Sequence, residues 1–197
     1  MARVGVSLAA FVNFAAASGS AKASQVQKAK RQVGGDGFDY WLALRSAIVA
    51  MHQFGRPIAT LSSVLQGLNE SRVENYTTCI AGYKEWLKRK KPVPFPTGTG
   101  GVWNSGDLIV RVNPELALDS GTETLAIKLY FGAPVISKAR LELSHHLIRK
   151  AVGPAFKSAV LDVRRAKLHI SQVRSSAAID ALFDGEARLF LAMWDAV

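Results

Sequence analysis

The residues of this chain best suited to chemistry are carboxylates and a lysine set among apolar strands. Glu115 follows Pro114 just after the run Leu108-Ile109-Val110-Arg111-Val112, and Lys128 interrupts a second run, Leu125 to Phe131. What these residues offer is a carboxylate near a lysine on the sheet. A lone charge inside an apolar strand must find a partner or reach solvent. Arg111 and Asp162 therefore also invite a plainer reading, an inter-strand ion pair that fixes strand order. Glu115, beside its proline, can simply be a turn residue.

Other catalytic constellations do not occur. The sequence has no Gly-x-Ser-x-Gly, and its four histidines are His52, His145, His146 and His169. His145 and His146 are adjacent on a helix, so their side chains diverge by about 100° and cannot chelate one metal as a pair. They read as surface or packing residues. Cys79 falls near the apolar face of a helix and reads as an inert core thiol. No zinc-ligand spacing is present, and the glycines between Gly98 and Gly106 lack the Gly-Lys-Ser/Thr of a phosphate-binding loop.

Positive charge offers a second kind of chemistry. The formal net charge is +10. Up to Lys91 there are 13 Lys or Arg against 5 Asp or Glu, a balance of +8, whereas the remainder carries 12 against 10. Such asymmetry fits a polyanion partner. Lys84, Lys88, Arg89, Lys90 and Lys91 end one predicted helix. Cations suit a helix C-terminus, but the dipole accounts for only some of five. The surplus, together with Arg164 and Arg165, forms a candidate phosphate-contacting set. This reading requires Lys88, Lys91, Arg164 and Arg165 to converge on one exposed face. The competing reading of the two arginines is that of solvated charges at a sheet edge.

The elements that must position these groups follow from periodicity. Ser7 caps a short helix ending near Ser18-Gly19, and a second helical piece runs from Ser20 to Val33. Gly34-Gly35-Asp36-Gly37 breaks the chain. Asp39 caps a helix with Trp41, Leu44 and Ile48 on its apolar face, closed by Gly55 and Pro57. A shorter helix covers Ile58 to Leu68. Between Glu70 and Lys91, Val73, Tyr76, Ile80, Tyr83 and Leu87 recur at three- and four-residue steps, a strong amphipathic signal.

Pro92 to Gly106 is a Pro/Gly-rich connector, in which Trp103 covers a sheet edge or begins an extra strand. Two central strands follow, read as an antiparallel pair through the turn signal Asp119-Ser120-Gly121. Ser137 caps a helix that stops at Gly153-Pro154. Ala159 to Val163 is a third strand, Lys167 to Ile170 a fourth, and Ser176 to Trp194 a closing helix. The expected architecture is a single α/β (α+β) domain, residues 1–197. A helical half (1–91) packs on a small mixed sheet with a β-β-α-β core (107–197), the connector being 92–106.

A chain of 197 residues with 49% apolar residues can bury a substantial core. One cysteine rules out an internal disulfide and suits a reducing compartment. Met1 to Ala23 imitates a secretory signal, yet Asn13 interrupts it and Leu8, Phe11, Val12 and Ala15 share one helical face, which favours an amphipathic helix of a cytoplasmic protein. No apolar stretch reaches the roughly 20 residues of a membrane-spanning helix.

The order helix, strand, strand, helix, strand resembles the PD-(D/E)XK nuclease-like fold. Pro114-Glu115 stands where that family has its first acid, and Lys128 where it has its lysine. The resemblance implies a metal-dependent nuclease with Glu115, Lys128 and Glu142 as its catalytic residues and Mg²⁺ as its cofactor: the two carboxylates would hold the cation, the second coming from the following helix (Glu142) or from the preceding one (Glu74 or Glu85), and the lysine would position or activate the attacking water. The position two before Lys128 is Ala126, where the motif has an acid. Three blocks, Val110 to Leu116, Ile127 to Phe131 and Leu161 to Leu168, are similar to an uncharacterised group of actinobacterial proteins. This implies a bacterial cytoplasmic protein and no particular activity. Three expectations result. The first is a non-catalytic nucleic-acid-associated protein without a cofactor. The second is the nuclease. The third is an interaction or assembly module that forms a homodimer through the aromatic-rich terminal helix.

Overall fold

A computed structural model of the chain describes residues 3–35, 39–88, 90–96, 100–172 and 177–196. Asp36, Gly37, Arg89, Gly98 and Ser176 lie outside the described residues. The protein is a mixed α/β structure. Its elements are β1 (Val4–Ser7), α1 (Leu8–Ala15), α2 (Ala21–Val33), α3 (Leu42–Gln53), a 3₁₀ helix (Ile58–Leu65) and α4 (Glu70–Leu87). There follow β2 (Val93–Pro94), β3 (Gly101–Ser105), β4 (Leu108–Val112), β5 (Leu116–Asp119) and β6 (Thr124–Tyr130). The chain closes with α5 (Lys138–Val152), β7 (Lys157–Asp162), β8 (Lys167–Ile170) and α6 (Ala177–Ala196).

Caps explain several of the boundaries. Ser7 Oγ accepts from the Ala10 amide, Asn69 Oδ1 from Arg72 and Ser137 Oγ from Arg140, so three helices start with an orphan N–H satisfied. Asp39 does not cap α3 directly; its Oδ1 accepts the Trp41 amide two residues on, and the helix begins at Leu42. Gly153, at φ +80°, ends α5 in the left-handed region that favours glycine.

The strands form two sheets rather than one. The larger has the order β2-β5-β6-β7-β8, with only β6 and β7 parallel, and the smaller has the order β1-β4-β3 with β1 parallel to β4. The expected pairing of Leu108–Val112 with Leu125–Phe131 is therefore corrected. Leu108–Val112 pairs instead with β3 and β1, and the Asp119 turn joins β6 to the short strand Leu116–Asp119. Asn113-Pro114 is the cause: proline gives a ladder no donor, and the chain passes there from one sheet to the other. Trp103 lies in a strand, β3, joined to β4 by the two-residue loop Gly106-Asp107, with Gly106 at φ +57°. Such tight hairpin loops demand a positive φ. β1 was not expected from the sequence; its Val4 and Val6 alternate and pair with Leu108 and Val110.

The larger sheet separates two cores. Leu125, Ile127, Leu129, Ala159 and Leu161 face Tyr76, Ile80 and Tyr83 of α4 and Leu44 and Ile48 of α3. Ala126 and Val160, on the other face, meet α5, α1, α6 and the smaller sheet around Phe11, Phe14 and Phe190. Each large apolar side chain buried this fully contributes about 1.5–3 kcal/mol. Gly82 of α4 sits over the turn after β7, where a Cβ would strike the carbonyl oxygen of Val163. No helix among the described residues is long and apolar enough to cross a membrane.

Candidate nucleic-acid interface

The structure brings Glu115 and Lys128 together, and the strand lengths explain how. β5 begins only at Leu116, opposite Ile127, so the amide of Leu129 has no strand partner on that side. The Glu115 carboxylate takes that place: Oε2 accepts from Leu129 N–H at 2.8 Å. Its Oε1 accepts from Lys128 Nζ, which also donates to Asn113 O at 2.9 Å. Arg45 Nε stands 3.8 Å from the same Oε1 and ties the group to Asp39. The Glu115 side chain is only 7% exposed, and both its oxygens are engaged by protein donors. It acts here as a clamp between the ends of two strands.

The second carboxylate of a metal site does not join it. Glu142 is half exposed on α5 and pairs with Lys138 at 3.8 Å. Glu85 pairs with Lys88 at 2.5 Å, and Glu74 is exposed on α4. Among the described residues no group of three His, Cys, Asp or Glu could hold a metal ion. Arg111 and Asp162 do not pair either. Arg111 donates to Gly5 O across the smaller sheet, and Asp162, in the other sheet, pairs with Arg165 at 3.0 Å.

The expected convergence of basic residues fails for the arginines. Arg164 donates Nε–H to Phe131 O at 3.1 Å and Nη2–H to Asn75 Oδ1, and its guanidinium lies 5.7 Å from the Trp41 ring centre. Arg165 donates to Asp162, which is 1% exposed, and to Ala133 O at 2.6 Å. Both lie past the ends of β6 and β7 and hold that turn together. Arg89 lies outside the described residues. Lys84, Lys88, Lys90 and Lys91 are exposed, and among them only Lys88 pairs with an acid. Lys90 donates to Trp86 O at 2.9 Å, consistent with a cation completing a helix C-terminus.

Lys90 and Lys91 sit at the other end of the sheet, whereas Lys84 is two residues from Gly82, which packs on the Val163–Arg164 turn. Lys90 and Lys91 line a cleft of about 480 Å³ with Leu118, Asp119 and Gly121, beside the start of β6. β6 rises about 3.3 Å per residue, so the arginine turn lies about 20 Å away. A larger cleft, about 700 Å³, shares Asp119 and Gly121 and is lined on its far side by Arg149, Lys157 and Ser158. The β5–β6 hairpin tip thus has cations on both flanks, with Lys157 paired to Glu123 at 2.7 Å. Arg149 and Lys157 were not picked out from the sequence. The signal lay in topology: a parallel β6-α5-β7 crossover returns the chain to the same end of the sheet, so Lys157, at the start of β7, must neighbour the hairpin tip.

His145 and His146 are packing residues, buried rather than at the surface. His145 Nδ1 lies 2.9 Å from Ser158 Oγ beneath α5, and burial, reinforced by His169, lowers its pKa to about 4. His146 stacks on Phe183 at 4.2 Å and lies 3.1 Å from Asp180. Cys79 is buried, and desolvation raises its thiol pKa to about 11, as an inert core thiol requires. No protein-family model matches this chain, and no curated protein does so either.

Proposed function

We propose that the protein binds the phosphate backbone of nucleic acid, without catalysis, along the two clefts that flank the β5–β6 hairpin tip. The observation that carries this reading is the pair of clefts with a common wall, edged by Lys90 and Lys91 on one side and by Arg149 and Lys157 on the other. Lys88 and Lys84, about one and two turns back from Lys91 just past the end of α4, add to the positive charge. Arg164 and Arg165 have no part in this interface, since their donors serve carbonyls and acids of the fold. Binding of this kind reads charge and spacing, not sequence.

A metal-dependent nuclease built on Glu115, Glu142 and Lys128 has less support. Its first carboxylate already satisfies a strand amide and a lysine, and its second points to Lys138. A gel shift with duplex and single-stranded probes tests the binding reading. Neutralising three or four phosphates implies an affinity loss on duplex of roughly 40- to 150-fold between 50 and 200 mM salt. No shift at low salt would end the proposal.

A further inference from the structure

The basic excess upstream of Lys91 is not exhausted by the end of α4. Helix α2 carries Lys22, Lys28, Lys30 and Arg31 and no acid. Its packed side buries Val26 and Ala29, turns Lys22 inward to Glu186 and the Phe14 ring, and lays Lys30 over Trp194. At about 100° per residue, Ser24, Gln27, Lys28 and Arg31 point the other way, and all four are exposed. Neither Lys28 nor Arg31 meets an acid among the described residues. The outward face of α2 is therefore polar, positive and free of carboxylates along its length.

A helix that only faces water gains from acids, and this one has none. A carboxylate in the first turn suits the helix dipole, yet α2 carries no acid there. An acid four residues before a cation adds support, but those positions hold Ser24 before Lys28 and Gln27 before Arg31. Lys28 and Arg31, three residues apart, repel each other instead. The dipole accounts for cations in the last turn; it does not account for the missing acids. A polyanion outside the chain supplies the absent counter-charge, and duplex DNA fits the shape. With its side chains a helix is about 10–12 Å across, and the B-form major groove is about 12 Å wide. The major groove of duplex RNA is too deep and narrow to admit it. The exposed side chains also suit base edges, arginine pairing with guanine, glutamine with adenine and serine with either.

We infer that α2 lies in the major groove of duplex DNA, with Gln27, Lys28 and Arg31 against base edges. Helices α1 and α6, packed on its other side, hold it in place. This face shares no residue with the clefts beside the β5–β6 hairpin tip, so either reading can fail while the other stands.

Selection by the full chain from a random pool of duplex DNA should enrich a short motif containing guanine and adenine. The selected duplex should bind about tenfold tighter, or more, than duplex RNA of the same sequence. Dimethyl sulfate methylates guanine N7, which lies in the major groove, and the bound protein should protect it. Lys28→Glu with Arg31→Glu should abolish both the protection and the preference for DNA. Both residues are exposed, so the circular dichroism and urea midpoint of that variant should match the wild type. Gln27→Ala should relax the requirement for adenine. Lys90→Glu with Lys91→Glu should lower affinity for every probe yet leave the same guanines protected. RNA bound as tightly as DNA, guanine N7 left unprotected, or binding indifferent to Lys28→Glu with Arg31→Glu would overturn the inference.

Discussion

Removing the Glu115 carboxylate distinguishes a structural clamp from a catalytic acid. In Glu115→Ala the buried Leu129 amide loses its only strand-end acceptor, and an unsatisfied buried donor costs about 1–3 kcal/mol. Lys128, still 21% exposed, loses its carboxylate but keeps Asn113 O, so its share falls well below that of a fully buried charge. Together these place the loss at about 3 kcal/mol, near the lower end for breaking a buried pair from one side. Glu115→Gln keeps an oxygen for Leu129 and removes the charge, which leaves a cost of about 1–2 kcal/mol. Urea unfolding followed by fluorescence is the assay, the midpoint being compared at constant slope. If Glu115→Ala unfolds within about 0.5 kcal/mol of the wild type, the clamp is not structural and the acid regains its claim on a metal.

Three further outcomes are expected. Lys90→Glu with Lys91→Glu should weaken nucleic-acid binding alike on all sequences and reduce the salt slope by about one for each phosphate no longer engaged, with the unfolding midpoint unchanged, as gel shifts and urea titrations would show. Arg165→Ala should leave binding intact but destabilise by about 2–4 kcal/mol in the same titration, because Asp162 is left buried without its guanidinium. Stability should be full above about pH 7 and fall by about 3 kcal/mol as the pH drops from 6.5 towards 4, since neutral His145 is favoured only in the folded chain and the unfolded chain takes up the proton first. Urea midpoints across this range should flatten in His145→Asn.

Much of the fold could be read from local chemistry. Ser7 and Ser137 sit where helices begin, and the three- and four-residue rhythm from Val73 to Leu87 matches α4. Pairing was read less well, because it depends on partners remote in sequence. β1 is four residues long and its partner begins at Leu108, so nothing near Val4 announces a strand. The Asp119 turn signal does mark a hairpin, but the strand it closes is Leu116–Asp119, not the longer Leu108 run that hydrophobicity favours. A short strand beside a proline gives little periodicity to read.

The misreading of the basic residues has a chemical cause that points back to the sequence. Arginine carries five donors in a planar fork, which suits several carbonyl and carboxylate acceptors at once, whereas lysine is a compact and strongly hydrated charge. Arg45, Arg164 and Arg165 are all drawn into bonds at the ends of β5, β6 and β7, where strands of unequal length leave acceptors and turns to secure. Lys84, Lys88, Lys90 and Lys91, in the last turn of α4 and just past it, keep their charge in water. In sequence the two sets look alike because both are positive. Separated by donor geometry, they divide into arginines that tie strand ends and turns together and lysines that face outward. Lys128, held by Glu115 and Asn113, marks where that division yields to strand geometry.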